Sequence, residues 1–175
     1  MKANILLNVE VFSKKNGKRQ GLVKSLVIVD HVIKYLVINP GGLLAKAQFF
    51  EPKSIVDVDY KQLIIQDTRE IIIIKTKEVK KYLAESFSLM DCPVVDMNGQ
   101  SFGRIVNATF DDKTFEISEY EISRSLFDDL DNGFAVIKAS ELVYKNQKLS
   151  YQKEMFDPDL QSQTAGIAKK LLGAK

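Results

Sequence analysis

Residues 98–105 read Asn98-Gly99-Gln100-Ser101-Phe102-Gly103-Arg104-Ile105, and they repeat residues 16–23, which read Asn16-Gly17-Lys18-Arg19-Gln20-Gly21-Leu22-Val23, at an offset of 82. Both stretches carry an Asn-Gly pair and a second glycine four positions after the first glycine. Farther along, Ser54 corresponds to Ser140 at an offset of 86, so we expect about four extra residues in the second copy, near residues 111–119. A period of about 80 residues is longer than that of solenoid repeats and predicts two tandem domains.

Short apolar runs rich in β-branched residues dominate both copies, and each run is too short for a helix. In the first copy the runs cover residues 22–23, 26–29, 32–38, 55–58, 63–65 and 71–74. In the second copy they cover residues 94–95, 105–110, 115–117, 120–122, 135–137, 142–144 and 149–151. Polar turn residues separate the runs, so the sequence predicts a mainly β fold built of antiparallel hairpins.

Glycines mark the expected turns and kinks of this fold. The pairs Asn16-Gly17 and Asn98-Gly99 favour two-residue type I′ hairpins, in which both residues adopt a positive φ. Gly21 and Gly103 lie inside strand patterns. There a missing side chain indicates a bulge or a close backbone approach where the sheet turns a corner. We therefore interpret these glycines as structural residues and not as ligand-binding ones.

Two segments fall outside the repeat. Residues 76–88 are predicted to form a short connecting helix, with Thr76 as its N-cap. Residues 153–175 are predicted to form either a weak amphipathic helix or a frayed tail. The predicted domains therefore cover residues 1–75 and residues 89–152.

The connecting segment also predicts how the two domains are joined. Residues 71–74 are apolar on both faces of a strand, and residues 76–88 offer further apolar side chains without any Gly or Pro. Such side chains need a covering surface. We therefore predict a rigidly packed pair of domains with four residues at the interface, namely Ile71, Ile73, Leu83 and Phe87.

Composition and charge are those of a globular protein. The 175 residues are 45% hydrophobic and 27% charged, which suffices for a core. The net charge is +2, but residues 1–85 carry +6 (15 basic, 9 acidic) and residues 86–175 carry −4 (10 basic, 14 acidic). We find no signal-peptide pattern and no apolar run near the ~20 residues of a membrane span. The expectation is a cytoplasmic protein without membrane insertion.

No residue pattern points to catalysis, a cofactor or a metal. One cysteine and one histidine cannot supply a disulfide framework or a multi-histidine metal site. Cys92 has no base near it in the sequence, and His31 falls in the other predicted domain, so Cys92 is interpreted as an inert thiol. Residues 128–133 end in Gly133 and favour a solvated turn over a calcium loop, because the spacing puts leucine and alanine at ligand positions. We predict a protein that is not an enzyme and has no evident small-molecule substrate.

Residues 92–106 read Cys92-Pro93-Val94-Val95-Asp96-Met97-Asn98-Gly99-Gln100-Ser101-Phe102-Gly103-Arg104-Ile105-Val106 and combine a strand, an Asx-Gly turn and a glycine that enters the next strand. With the later turn at Gly133, this pattern resembles the PRC-barrel family over residues 89–151, and residues 5–65 resemble it more loosely. The resemblance implies two tandem, small, closed β-barrels, as in bacterial two-barrel proteins. Related barrels in the photosynthetic reaction-centre H subunit and in a ribosome-maturation factor are docking modules.

The most localised charge lies at residues 14–19, with four cations in six positions at a predicted hairpin tip. Such a tip can contact RNA phosphates or an acidic protein surface. Oligonucleotide-binding barrels stack bases on several exposed aromatic residues, whereas most Tyr and Phe residues here occupy strand positions that a barrel buries. The main hypothesis is a non-catalytic adaptor or assembly protein that binds another protein. The alternative is an RNA- or ribosome-associated factor whose tip cations contact phosphates, namely Lys14, Lys15, Lys18 and Arg19.

Overall fold

The structure, a computed structural model, describes residues 1–40, 48–59, 61–73, 89–125, 129–130, 133–145 and 148–152. Contacts between residues divide the chain into two compact units. The first unit consists of Met1–Ser88 and Phe110–Glu116, and the second consists of Leu89–Thr109 and Ile117–Lys175. The predicted boundaries placed Phe110–Glu116 in the second domain, whereas the contacts place this segment in the first unit.

The segment Phe110–Glu116 joins the first unit through its backbone. Ile33 N donates a hydrogen bond to Phe115 O at 2.9 Å, and Val32 and Glu116 form an isolated antiparallel bridge. These bonds satisfy backbone polar groups of both partners. The segment therefore belongs to the first unit in space, although in sequence it lies inside the second copy of the repeat.

Within the described residues, seven strands form the sheet of the first unit. They are β1 (Glu10–Ser13), β2 (Arg19–Val29), β3 (Val32–Asn39), β4 (Gln48–Phe50), β5 (Ile55–Val58), β6 (Gln62–Ile65) and β7 (Ile72–Ile73). Their order is β5-β6-β1-β2-β3-β4-β7, and neighbouring strands are antiparallel except for β1 and β6. Short 3₁₀ helices cover Ala3–Leu6, Pro52–Ser54 and Thr68–Glu70.

In the second unit the described residues form six strands. They are β8 (Pro93–Val95), β9 (Ser101–Phe110), β10 (Ile117–Ser123), β11 (Ala135–Lys138), β12 (Leu142–Lys145) and β13 (Lys148–Tyr151). Their order is β11-β10-β9-β8-β13-β12, and β8 runs parallel to β13. A 3₁₀ helix covers Ala139–Glu141, immediately before β12.

The two sheets share one strand order. The series β5-β6-β1-β2-β3-β4 of the first unit corresponds to β12-β13-β8-β9-β10-β11 of the second, and the parallel pair is β1–β6 in one and β8–β13 in the other. A 3₁₀ helix that contains Ser54 precedes β5, and one that contains Ser140 precedes β12. The repeat in the sequence is therefore also a repeat in strand topology.

The four extra residues of the second copy lie in one hairpin. The turn between β2 and β3 consists of Asp30 and His31, which both have a positive φ, as a type I′ turn requires. The corresponding loop between β9 and β10 spans residues 111–116 and is four residues longer. The longer loop is the one whose backbone pairs with the first unit.

The described residues are mainly β, in two sheets, and one of these sheets curls into a half-barrel. Closure of either sheet into a PRC-type barrel stays a prediction. The predicted connecting helix over residues 76–88 and the predicted tail over residues 153–175 lie outside the described residues.

Some strand boundaries differ from the predicted ones. The runs 22–23 and 26–29 belong to one strand, β2. The run 115–117 is wrong as a strand start, because Phe115 has a φ of 58° and lies in the loop, and β10 begins at Ile117. Strands β1 and β4 were not predicted, since three or four residues that include polar ones carry little pattern.

A bulge interrupts the first hairpin of each sheet. In the first unit Val11 pairs with Gly21 and Phe12 pairs with Arg19, so that one residue of β2 between them has no partner. The second unit repeats this register: Val94 of β8 pairs with Gly103 of β9, and the next pairing skips one residue of β9. An extra residue bends its strand and increases the local twist.

The glycine beside each bulge permits a close contact between backbones. Gly21 has a φ of 151° and Gly103 a φ of 158°, which favour glycine. A Cβ added at Gly21 would overlap the carbonyl oxygen of Asn39, and one added at Gly103 would overlap that of Ser123. The close backbone approach that the sequence predicts is present at both positions.

The Asn-Gly turns are not type I′ turns, and this prediction is wrong. Gly17 has a φ of 66° and Gly99 a φ of 79°, whereas neither Asn16 nor Asn98 has a positive φ. The physical reason is side-chain capping, which favours longer loops. Asn16 Oδ1, for example, accepts a hydrogen bond from Lys18 N at 3.0 Å.

The apolar run 71–74 contributes to a cluster within its own unit. Ile72 packs against Val27, Tyr35 and Phe49, which are all buried. The rings of Tyr35 and Phe49 meet edge to face, with centroids 6.5 Å apart. One face of this short strand is therefore covered by its own sheet.

Of the four residues predicted at the interface, the structure describes Ile71 and Ile73. Ile73 is 49% exposed, and Ile71 N donates to Thr68 O at 3.1 Å, which ends the 3₁₀ helix before β7. Their role at an interface between the domains stays a prediction. Leu83 and Phe87 lie outside the described residues.

Replacing Gly21 or Gly103 by alanine should destabilise the fold more than replacing Gly17 or Gly99. An added Cβ overlaps a carbonyl at the first two positions, whereas no atom of the described structure lies within 4 Å of it at the other two. We expect losses of about 3 kcal/mol or more at the first two, and of about 1 kcal/mol at the others, where φ alone opposes alanine. Urea unfolding measures the free energy of unfolding of each variant. Equal losses at all four positions would contradict a steric role of the kinks.

Candidate functional site: the basic hairpin tip

The predicted basic tip is the loop between β1 and β2. Ser13 N donates to Lys18 O at 3.0 Å and Gly17 N donates to Ser13 O at 2.8 Å, which closes a four-residue loop. Lys14 N donates to Ile65 O of β6 at 2.8 Å. The backbone of the tip is therefore fixed to two strands of the sheet.

Asp67 holds one side of the tip. Its Oδ2 accepts Lys15 Nζ at 2.8 Å and Arg69 Nη2 at 2.8 Å. Its Oδ1 accepts Arg69 N at 3.1 Å and thereby caps the 3₁₀ helix Thr68–Glu70. The side chain of Asp67 is 12% exposed, whereas those of Lys15 and Arg69 are 59% and 81% exposed, so solvent partly screens both pairs. One carboxylate thus joins the tip to the segment that follows β6.

These contacts lower the pKa of Asp67. The hydrogen bond from the Lys15 side chain has the largest effect, followed by the backbone and side-chain hydrogen bonds from Arg69. Desolvation opposes them but is smaller. Because a carboxylate with a lowered pKa is ionised throughout the neutral range, both ion pairs persist at physiological pH.

A second ion pair lies across the base of the hairpin. Arg19 Nε donates to Glu10 Oε1 at 2.8 Å, and both side chains are 46% exposed. An exposed pair of this kind contributes at most about 1 kcal/mol to stability. Its main consequence is electrostatic, because it offsets the charge of one predicted tip cation.

Two of the four predicted cations are therefore paired. In the part of the chain that the structure describes, no carboxylate pairs with Lys14 or Lys18. Arg69 adds a cation that the sequence analysis did not include. With Glu10 and Asp67 as the two carboxylates, five cations leave the tip with a net charge of +3, and the cations are Lys14, Lys15, Lys18, Arg19 and Arg69.

The equivalent loop of the second unit differs in chemistry. Residues 96–100 contain no Lys or Arg, and Met97 is 64% exposed. Asp96 Oδ1 accepts hydrogen bonds from Asn98 N at 2.9 Å and from Gln100 N at 2.7 Å, which orders this loop. The basic tip is therefore a property of the first unit and not of the repeat.

The thiol of Cys92 is poorly suited to nucleophilic chemistry. The residue is 6% exposed, and burial raises its pKa to about 11. A buried thiol with a raised pKa is almost entirely protonated near neutral pH. His31, the other candidate of the sequence analysis, lies in the two-residue turn between β2 and β3 of the first unit.

The predicted turn at Gly133 is held by Asp129. Gly133 N donates to Asp129 O at 3.0 Å, and Gly133 has a φ of 78°. The carboxylate of Asp129 accepts hydrogen bonds from Ser123 Oγ and Arg124 N. Among the described residues, no group of three or more His, Cys, Asp or Glu side chains is placed to hold a metal ion. The carboxylate of Asp129 acts within its own turn.

Comparison with known proteins adds no relative. No protein-family model matches the sequence, and a search of curated proteins gives no match. The resemblance to the PRC-barrel family therefore stays a prediction. In the residues that the structure describes, no helix has the length and the apolar character that crossing a membrane requires.

Sequence reasoning missed the carboxylates that shape the tip. Asp67 lies 52 positions from Lys15, in a segment that was interpreted as a plain turn. The local sequence signals a capping aspartate before a short helix, but it does not show that β6 brings this cap beside the tip. Glu10 and Arg19 lie on adjacent strands. A correctly predicted hairpin register would therefore have revealed their ion pair.

Replacing Asp67 by asparagine should lower the melting temperature at pH 7 by removing the charge that pairs with Lys15 and Arg69. The folded-state pKa of Asp67 lies below its ordinary value of 3.8, so its contribution is complete above that pH and is lost as the pH falls further. The difference between wild type and Asp67→Asn should therefore shrink below about pH 4. Thermal unfolding at a series of pH values from 7 to 2 measures the difference in melting temperature between the two proteins. Asp112→Asn, at an exposed carboxylate, is the control and should show little difference. A pH-independent difference for Asp67→Asn would contradict the ion-pair assignment.

Cys92 should resist thiol reagents while the protein is folded. Its burial and raised pKa leave little thiolate at pH 8. We expect labelling by an aromatic disulfide reagent to be about 100-fold slower than in the urea-unfolded chain. The absorbance of the aromatic thiolate that the reagent releases measures the labelling rate of the folded and of the unfolded chain. Labelling of the native protein at the unfolded rate would restore Cys92 as a candidate nucleophile.

Proposed function

We propose that the protein is a non-catalytic macromolecular-interaction protein, an adaptor or assembly factor built of two PRC-type barrels, and that its partner is another protein in the cytoplasm. The observation that carries the proposal is the ordered basic tip. Lys14 and Lys18 extend from a loop that ion pairs and backbone bonds hold in place. The expected partner surface is acidic.

The order of the tip favours binding because less conformational freedom is lost on contact. Ion pairs fix Lys15 and Arg69 to Asp67, and Lys14 N is bonded to β6. A binding element that is ordered in advance loses less entropy on association. The net positive charge steers an acidic partner and helps to reject basic ones. Both effects suit a docking element and require no reaction.

The alternative function is that of an RNA- or ribosome-associated factor, in which Lys14 and Lys18 contact phosphates. The tip region favours a protein over single-stranded RNA, because RNA-binding surfaces add aromatic side chains on which bases stack. In residues 10–19 and 61–73, the described residues around the tip, Phe12 is the only aromatic residue and is partly buried. Phosphate contact by two lysines alone would give weak binding that depends on salt.

Charge reversal at the tip tests the proposal. The full-length protein is immobilised and used to capture partners from a native lysate of the cells that make it, with protein and RNA scored separately. We expect a protein partner to bind the wild type and to be reduced about tenfold or more by Lys14→Glu/Lys18→Glu, since opposite charges then become like charges. The matched control is Lys24→Glu/Lys148→Glu, which reverses two exposed lysines that are not part of the tip and should bind normally.

Nuclease treatment and salt separate the two functions. A protein partner should stay bound after nuclease treatment. RNA held by two lysines should be lost on nuclease treatment, and its affinity should fall about sevenfold between 50 and 200 mM salt. Capture that is equal for the tip variant and its control would contradict a role of the tip in either function.

A further inference from the structure

A pocket of about 290 Å³ opens on the first unit, and its lining contains no residue of the basic tip. Its lining includes Met1, Leu6, Val56, Asp57, Phe110 and Asp112. All of these residues belong to the first unit, which includes the segment Phe110–Glu116. Pockets for drug-sized ligands and cofactors span about 300 to 1,000 Å³, so this volume lies at the lower limit and suits a single side chain.

The pocket combines an apolar base with an acidic rim. Leu6 and Phe110 are buried in its base, and Phe115 stacks on Phe110 with ring centroids 5.9 Å apart. Asp57 and Asp112 are exposed, and in the described part of the chain no cationic side chain pairs with either carboxylate. This arrangement matches a side chain that has an aliphatic stem and a positively charged end.

One cation borders the pocket, the α-ammonium group of Met1. It donates a hydrogen bond to Phe110 O at 2.7 Å, and Phe110 N donates a hydrogen bond to Met1 O at 2.8 Å. The ammonium is thus held at the backbone of Phe110. With two carboxylates and one ammonium, the lining carries a net charge of −1, which still favours a cation.

The strand beside the pocket is protected against pairing with another strand. Among the described strands, β5 lies at the edge of its sheet, and its register with β6 shifts between Ile55 and Asp57, so Val56 forms a bulge and is 45% exposed. Asp57 Oδ1 accepts a hydrogen bond from Val58 N at 3.0 Å. Bulges and edge carboxylates both oppose strand addition. A partner is therefore expected to insert a side chain here and not to extend the sheet.

We propose that this pocket binds a lysine or arginine side chain of the partner protein. The proposal rests on the proposed function in one respect, namely that the partner is a protein. The aliphatic stem lies against Val56 and the apolar base, and the cationic group lies between Asp57 and Asp112. The first unit then offers two contacts of opposite charge, the basic tip and this acidic pocket.

Peptide titration of the ¹⁵N-labelled full-length protein tests the pocket directly. The probe is acetyl-Ala-Arg-Ala-amide, and the comparison peptide replaces arginine by norleucine, which keeps the stem and removes the charge. We expect saturable shifts of the Val56, Asp57 and Asp112 amide signals, with an affinity for the arginine peptide about tenfold higher than for the norleucine peptide. Equal affinities, shifts confined to other residues, or no shifts at millimolar peptide would each overturn the proposal.

Two carboxylate variants complete the test. Asp57→Asn/Asp112→Asn should reduce the affinity for the arginine peptide to that for the norleucine peptide, without loss of fold. The matched control, Glu70→Gln/Asp91→Asn, neutralises two carboxylates outside the pocket and should bind like the wild type. Unchanged binding by the pocket variant would also overturn the proposal. This experiment uses no lysate, so its failure leaves the tip-dependent capture of a partner intact, and the reverse also holds.

Discussion

Each sheet depends on one place where two backbones meet with no side chain between them. Gly21 lies against the carbonyl group of Asn39 in the first unit, and Gly103 lies against that of Ser123 in the second. The contact requires a positive φ and the absence of a Cβ, which together permit only glycine. The bulge beside each glycine bends the long strand toward the end of its neighbour. The bend of the long strand in both sheets follows from this local arrangement.

The arrangement at the glycines is common to both copies, whereas the loops differ. The hairpin between β1 and β2 carries lysines, and the equivalent hairpin exposes Met97. The turn Asp30-His31 has two residues, and the equivalent loop has six and pairs with the first unit. Loops on a fixed scaffold tolerate such change because they carry little of the core. A duplicated sheet can therefore present different surfaces, as the proposed adaptor function requires.

The sequence predicts what is local and misses what is brought together by folding. The repeat and the kinks at Gly21 and Gly103 were predictable, because glycine in a strand pattern has few physical explanations. The turn type at Asn98-Gly99 was not, because the carboxylate of Asp96 competes with the backbone geometry that the dipeptide favours. The partner of Lys15 was not predictable either, since Asp67 reaches it through the parallel pairing of β1 with β6.

Aspartates order several loops, and this makes their shape depend on ionisation. Asp59 and Asp111 each accept two hydrogen bonds from backbone N–H groups, and these bonds lower their pKa values. The pKa of Asp67 is lowered mainly by Lys15. All three shifts have the same sign, so the loops gain stability from ionised carboxylates and lose it together as the pH falls below the ordinary carboxylate range. Near neutral pH these carboxylates do not titrate. The tip then keeps one shape, and under the proposed function its recognition of a partner is governed by the partner's charge and by salt.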